Sequence, residues 1–397
     1  MGLWLLLARV YEVPIGGASW LALVQVHGAL QLFGFVGLFL TGVGLHLLPR
    51  LRGAPAVSRG RSMAVYGLIA ASLALRAVAQ PIPGLPGREA FLAVAALTLV
   101  AGTVLFALTA TGILRSGTNP HRADELVIGA GMTLLPVAAL LDGISFTSGW
   151  PLVVPAAVDD RATWLMLLGC VVTTIVGVWA RLAPGFVAAP PCDGPRLLGG
   201  AGLWLAGVAA FVLGLGAGAA LMFVGLVVLV VTLGVWGATI AQQPLAGHAR
   251  LTRLALRSAF AWALAGTAIL ALAERGLLSG SPFLVSSAAR HAFALGFVWL
   301  AIFGVAARAL PSFLGRRLWS LPLHGAVILV ANLGVGLRVV PQALSLEGSA
   351  AAACVALSGV LAYCALAGFG VNIFRTLRGG APLERIEPGA SAPLIMR

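Results

Sequence analysis

Long apolar runs alternate with short polar segments along almost the whole chain. A helix rises about 1.5 Å per residue, so about 20 apolar residues are needed to cross the hydrocarbon core of a bilayer. Eleven runs reach about that length, at approximately 20–48, 63–81, 90–114, 126–146, 163–187, 197–217, 219–241, 254–273, 284–311, 318–339 and 349–374. A shorter apolar stretch opens the chain and predicts a short first helix. The pattern therefore predicts an all-α fold, a polytopic membrane helix bundle of about 12 transmembrane helices.

Composition supports this prediction, because 60% of the 397 residues are hydrophobic and only 9% are charged. A soluble domain has about 25% charged residues, so most of this surface must face lipid. All 25 Lys and Arg residues are arginines, and 18 of them lie after alternate helices or in the C-terminal tail. The opposite side has few arginines and holds the acids Glu89, Asp159, Asp160, Glu274 and Glu347. By the positive-inside rule the arginine-rich side is cytoplasmic. The net charge of +13 thus indicates membrane lipids rather than nucleic acid as partners.

One sequence pattern recurs three times. The pattern GVxx[HR]xxP closes the second, sixth and tenth predicted helices at 42–49, 177–184 and 304–311, with starts 135 and then 127 residues apart. Many membrane helices end in a basic residue and a proline, so chance is an alternative explanation. A second match favours repetition, since Arg76 and Arg338 each follow the end of their copy by 27 residues. We therefore predict a single transmembrane domain, 1–397, of three pseudo-symmetric four-helix units at approximately 1–115, 126–241 and 254–378.

Two histidines stand out because they lie within the outer half of predicted spans, where an ionisable side chain is costly and needs a reason. His27 precedes the end of the second helix by about 22 residues, and His291 precedes the end of the tenth by about 20. Because both helices run inward, we expect both imidazoles at similar depth in the outer half of the membrane. Two neutral imidazoles at one level can bind an iron porphyrin axially, so we predict them as the metal ligands of a haem b. A packing role for each histidine is the alternative.

Three arginines and a glutamine are predicted to contact the same cofactor. Arg76 and Arg338 lie near the outer ends of the helices that follow the histidine helices, and a guanidinium binds a carboxylate bidentately. We predict that they bind the haem propionates; extension to the lipid interface is the alternative. Arg290 could serve a propionate or a lipid headgroup. Gln31, one turn below His27, is predicted near the cofactor or hydrogen-bonded within the bundle.

Other polar groups give weaker signals. Asp142, near the outer end of its helix, is interpreted as a helix end rather than a proton-relay acid. Met166 and Cys170 are four residues apart and could share a face suited to Cu(I), but two soft ligands without a third favour core packing over copper. The sequence contains no nucleotide-binding loop, no HExxH pair and no CxxCH motif, so no catalytic residue is assigned.

Two segments carry a family resemblance. The stretch that begins His27-Gly-Ala-Leu-Gln31 and the stretch Arg290-His291-Ala-Phe-Ala-Leu-Gly296 resemble signatures of the NnrS family. The resemblance implies a twelve-helix, multi-pass protein of the bacterial inner membrane that is linked to nitric oxide and denitrification and binds haem and copper. The layout is also similar to subunit I of haem-copper oxidases, in which helices 2 and 10 supply the histidines of a low-spin haem.

The chain departs from these relatives in the number of its histidines. NnrS proteins usually carry His-x-His on helix 2, but Ala29 stands at the second position here. The oxidases carry His-x-His on helix 10, whereas His291 is followed by Ala292 and Phe293. The resemblance therefore implies a haem without a complete binuclear centre, and neither oxidase nor nitric oxide reductase activity is expected.

Taken together, the sequence predicts a b-type haem-binding membrane protein of NnrS type that binds nitric oxide or passes electrons to a redox partner. A membrane transporter with polar residues along a substrate path is the main alternative. The repeats share one orientation and the polar groups lie near the outer face, which favours haem. A degenerate, metal-free partner subunit is a third possibility.

Overall fold

A computed structural model describes residues 17–237, 247–278 and 280–379 of the chain. These residues form eleven helices. In chain order they are α1 (Gly17–Ala29, Leu30–Gly37 and Leu38–Arg52), α2 (Arg59–Ala79), α3 (Arg88–Ser116), α4 (Ala123–Thr147), α5 (Ala156–Trp164, Leu165–Val172 and Thr173–Val187), α6 (Gly194–Val212), α7 (Gly218–Thr232), α8 (Gly247–Glu274), α9 (Pro282–His291, Ala292–Trp299 and Leu300–Phe313), α10 (Leu321–Ala343) and α11 (Ser349–Gly379). These described residues contain no β-strand, so the all-α prediction is confirmed. The predicted short first helix lies outside the described residues.

Ten of the described helices are long and apolar enough to cross a membrane, which confirms a polytopic membrane helix bundle. Helix α7 has only 15 residues and is shorter than the predicted span 219–241. The chain turns after Thr232, where Gly234 has a φ of 57° and the amide of Val235 donates to the carbonyl of Val230. This arrangement ends a helix. The apolar pattern did not reveal it, because hydrophobic residues continue beyond the turn.

The chain divides into two compact units. Unit 1 comprises residues 1–178 and 205–218, and unit 2 comprises residues 179–204 and 219–397. In unit 1, α2 packs against α3, α3 against α4, and α4 against the first part of α5. A buried apolar cluster at one end of this unit consists of Ala79, Leu92, Ala95, Phe146 and Val154.

Glycines bring α4 and α5 close together within unit 1. A Cβ atom on Gly177 of α5 would lie 2.8 Å from the backbone N of Ile128 and 3.0 Å from the carbonyl O of Asp124, both in α4. On the opposite helix, a Cβ on Gly131 would lie 2.9 Å from the carbonyl O of Cys170. Because real Cβ atoms do not approach backbone this closely, the helix separation depends on glycine at both positions.

In unit 2, α8 packs against α9, and α10 packs against α11. The rings of Phe303 and Phe369 stack with their centres 4.5 Å apart. A second contact joins α8 to α10, where the indole N–H of Trp262 donates to Oδ1 of Asn332 at 3.0 Å. A buried apolar cluster joins α9 to α10 and consists of Ala288, Ala292, Val335 and Val339.

Helices α1, α5 and α9 each contain an eight-residue π-helical segment. These helices carry the three copies of GVxx[HR]xxP. The segments begin at Leu30, Leu165 and Ala292, each twelve positions before the first glycine of its copy, at 42, 177 and 304. The three copies therefore share a backbone irregularity at one register as well as a sequence pattern. The division into three four-helix units stays a prediction.

Candidate functional site

His291 ends the first α-helical segment of α9 and is half-buried. Its Nδ1 atom lies 2.6 Å from the carbonyl O of Ser287, and a carbonyl can only accept a hydrogen bond. When this imidazole is neutral, the contact requires its proton on Nδ1 and leaves the lone pair on Nε2. Histidines that bind metals through one ring nitrogen usually donate the other ring N–H in this way.

His27 lies in unit 1, in the first α-helical segment of α1, and is also half-buried. It precedes the π-helical segment of α1 by three residues, and His291 directly precedes that of α9. Gln31 is the second residue of the π-helical segment of α1 and is half-buried. Its predicted position one turn below His27 assumed α-helical geometry, whereas i-to-i+5 hydrogen bonding begins between the two. A contact of Gln31 with a cofactor stays a prediction.

Arg76 of α2 is only 2% exposed and makes an ion pair inside unit 1. Its Nη1 atom lies 2.6 Å from Oδ2 of Asp142, and its guanidinium carbon lies 4.5 Å from the centre of the Phe146 ring. The interpretation of Asp142 as a helix end is wrong, because this side chain is buried within α4 and compensates the charge of Arg76. Arg76 and Asp142 are 66 positions apart, so no local sequence pattern reveals this pairing. Binding of a propionate by Arg76 stays a prediction.

The sequence reasoning missed two glutamines that extend this ion pair. Nε of Arg76 donates to Oε1 of Gln80 at 2.8 Å, and Nε2 of Gln80 donates to Oε1 of Gln25 at 3.1 Å. Gln25 also binds both backbone groups of Val154, at 2.8 Å and 2.9 Å. The sequence did contain a signal for this network, because Gln25 is a polar amide residue inside an apolar helix, two residues before His27.

Of the two predicted arginines in unit 2, Arg290 directly precedes His291 on α9, and Arg338 lies on α10. Nη2 of Arg290 donates to Oγ of Ser286 at 3.1 Å, and Arg338 is half-buried on α10. The hydroxyl of Ser287 donates to Oε1 of Gln342 at 3.1 Å, which joins the His291 turn of α9 to the Arg338 end of α10. The structure thus brings the helix segments of His291, Arg290 and Arg338 together, while binding of a cofactor by the two arginines stays a prediction.

No group of three or more His, Cys, Asp or Glu side chains is arranged to bind a metal ion within the described ranges. A haem with two axial histidines does not require such a group. Met166 and Cys170 are fully buried in the π-helical segment of α5. A Cβ on Gly37 of α1 would lie 3.5 Å from Cε of Met166, so this methionine packs between helices.

Ten described helices are long and apolar enough to cross a membrane, so this molecule is a polytopic integral membrane protein. The family model described as NnrS protein matches residues 1–379, so the chain belongs to the NnrS family. The resemblance inferred from the histidine helices is thereby confirmed. A search of the curated proteins found no match.

Proposed function

We propose that this NnrS-family chain is a b-type haem-binding membrane protein with His27 and His291 as axial ligands, acting in nitric-oxide or redox physiology. Family membership supports the connection to nitric oxide. The hydrogen bond from Nδ1 of His291 to the carbonyl of Ser287 carries the haem proposal. It holds the imidazole in the tautomer whose Nε2 can bind a metal.

The arginines of the two units differ in how well they are suited to bind haem propionates. In unit 2, Arg290 lies on the same helix segment as His291 and Arg338 lies on α10, which packs against that segment, and guanidinium groups suit the two propionates of a b-type haem. In unit 1, Arg76 is already neutralised by Asp142. We therefore expect Arg290 and Arg338 to contribute more to propionate binding than Arg76.

Two axial imidazoles favour electron transfer, because nitric oxide could bind the iron only after one imidazole had left. When bound, the haem would supply one-electron chemistry. The protein would hold the His291 imidazole in one tautomer and surround it with apolar helix faces. Because Ala29 and Phe293 stand where relatives have further histidines, we do not propose reduction of dioxygen or nitric oxide.

Absorption spectroscopy of the purified full-length chain tests this proposal. From haem-replete cells, we expect a Soret band and the pyridine haemochrome of haem b. His27→Ala and His291→Ala should each abolish the low-spin spectrum, because each removes an axial ligand. His121→Ala is the matched control, since this histidine is exposed in the loop between α3 and α4.

Two results would contradict the proposal at different points. A colourless wild-type preparation that elutes as a single folded species would remove the haem function and favour a transporter or partner subunit. A full low-spin spectrum in either histidine variant would leave haem binding in place but overturn the ligand assignment.

A further inference from the structure

A buried hydrogen-bonded network in unit 1 includes Gln25, which precedes His27 by two residues on α1. Its side chains come from α1, α2, the residue after α2, and α4, and they are Gln25, Arg76, Gln80 and Asp142. The network begins at the Asp142 carboxylate and ends at the backbone of Val154 in the segment before α5. Gln80, Arg76 and Asp142 are 0%, 2% and 5% exposed, so water does not compete for these hydrogen bonds.

Each amide in this network has one orientation. Oε1 of Gln25 accepts from the Val154 amide and from Nε2 of Gln80, while Nε2 of Gln25 donates to the Val154 carbonyl. Oε1 of Gln80 accepts from Nε of Arg76. Turning either amide over would place donor against donor, so the hydrogen bonds hold the side chains in one arrangement.

The segment that receives Gln25 is itself firmly held. Val154 is 1% exposed and belongs to the apolar cluster of unit 1. Nearby, the guanidinium of Arg88 donates to the carbonyls of Ala79, Trp150 and Pro151 at 3.1, 2.8 and 2.9 Å. Gln25 therefore connects α1 to a segment that burial and hydrogen bonds hold in place.

We infer that Gln25, Gln80, Arg76 and Asp142 are positioning residues for His27, an inference that rests on the proposed haem function. Gln25 and His27 are two residues apart on one α-helical segment, so they are separated by about 3 Å along its axis. The paired hydrogen bonds to Val154 therefore set the depth and rotation of α1 at His27. Partners that orient a metal-binding histidine typically change metal affinity by about 10- to 100-fold when they are lost.

The chemistry of the network excludes two other roles. Amide and guanidinium groups do not ionise at ordinary pH, so Gln25, Gln80 and Arg76 are unsuited to relay protons from Asp142. A substrate path requires polar groups that open to water, whereas three of these four side chains are at most 5% exposed. The Asp142 carboxylate instead balances the guanidinium charge, which keeps Arg76 and hence Gln80 in place.

Asp142→Asn and Gln25→Ala test the inference with two readouts. In the haem-loaded ferric protein, we expect altered low-spin EPR g values and about 10-fold weaker haem binding. In protein prepared without haem, we expect faster hydrogen exchange at residues 20–29 relative to the other helices of unit 1. Asp142→Glu keeps the carboxylate and should restore both readouts in large part.

Glu125→Gln is the matched control. Glu125 is also a buried acid of α4 in an ion pair, with Arg52 at 3.3 Å, but it lies 17 residues from Asp142, or about 25 Å along the helix. The Glu125→Gln substitution should destabilise the protein without changing the EPR g values or the relative hydrogen exchange of residues 20–29. If all three variants behave alike, or if Asp142→Asn and Gln25→Ala match the wild type, the positioning inference is wrong while haem binding stands. If the wild type binds no haem, the proposed function fails, and the exchange of residues 20–29 alone decides whether the network holds this segment.

Discussion

Arginine side chains in this protein donate to backbone carbonyls near helix ends. Arg88 contacts the carbonyls of Ala79 and Trp150, and Nη2 of Arg308 lies 3.1 Å from the carbonyl of Gly185. The last four carbonyls of a helix have no partner within the helix, and the bilayer core offers no water to replace one. Arginines on both predicted sides of the membrane, Arg88 on the outer side and Arg308 on the cytoplasmic side, therefore complete the hydrogen bonding of helix ends.

A second buried ion pair stabilises the other end of unit 1. Nη1 of Arg52 lies 3.3 Å from Oε2 of Glu125, and these side chains are 2% and 1% exposed. Nη2 of Arg52 also donates to the carbonyl of Gly117 at 3.1 Å. Two charges in a low-dielectric interior stabilise the fold only while both are present, because either one alone is costly to bury.

Glu125→Gln should lower the stability of the folded protein by about 3 kcal/mol, since it leaves the charge of Arg52 buried without its carboxylate. Thermal unfolding in detergent, followed by circular dichroism, measures the loss as a lower Tm. Glu89→Gln is the control, because Glu89 is exposed at the start of α3 and its loss should change stability by no more than about 0.5 kcal/mol. Equal Tm values for the two variants would show that the Arg52–Glu125 pair does not stabilise the fold.

At the scale of elements, the three helices with the repeated pattern differ in how closely a neighbouring helix packs against them. Gly42, Gly177 and Gly304 occupy the same position of the pattern in α1, α5 and α9. A Cβ on Gly42 would meet nothing within 4 Å, whereas a Cβ on Gly177 would meet the backbone of α4. Equivalent sequence positions thus have unequal packing.

Gly177→Ala should destabilise the protein by about 1–3 kcal/mol, because α4 backbone atoms cannot move aside without separating the helices. Gly42→Ala provides an internal control, and its better helix propensity should leave stability unchanged or raised by up to about 1 kcal/mol. Thermal unfolding of both variants in one detergent measures the difference. An equal response would mean that the approach of α4 to α5 does not depend on Gly177.

The π-helical segments were not predicted from the sequence. Each has a glycine at its fifth position, namely Gly34, Gly169 and Gly296. This glycine lies eight residues before the first glycine of the GVxx[HR]xxP pattern in all three copies. The recurrence could have extended the pattern, but hydrophobic periodicity cannot distinguish α from π hydrogen bonding within an entirely apolar run.

At the scale of the whole molecule, the placement of arginines predicts which loops face the cytoplasm. Cys192 lies in the loop between α5 and α6, on the predicted cytoplasmic side, and is partly exposed. A membrane-impermeant maleimide should therefore label it in inside-out vesicles and not in right-side-out vesicles. Mass shift of the purified protein measures the labelling.

Gly84→Cys, in a chain whose four native cysteines are replaced by serine, provides the opposite control. Gly84 is exposed in the loop between α2 and α3, on the predicted outer side, and a side chain there would meet nothing within 4 Å. It should be labelled only in right-side-out vesicles. Labelling of Cys192 from the outer side would reverse the assigned orientation of the helices.

The amino-acid sequence was enough to predict the membrane class, the approximate limits of most described helices and the NnrS resemblance, because apolar length and local motifs do not depend on distant contacts. It also indicated His27 and His291 as unusual residues. Only the tertiary structure decided that Asp142 pairs with Arg76 and that two glutamines connect this pair to α1. Hydrogen bonds between residues 55 to 129 positions apart depend on helix packing, which hydrophobic periodicity does not specify.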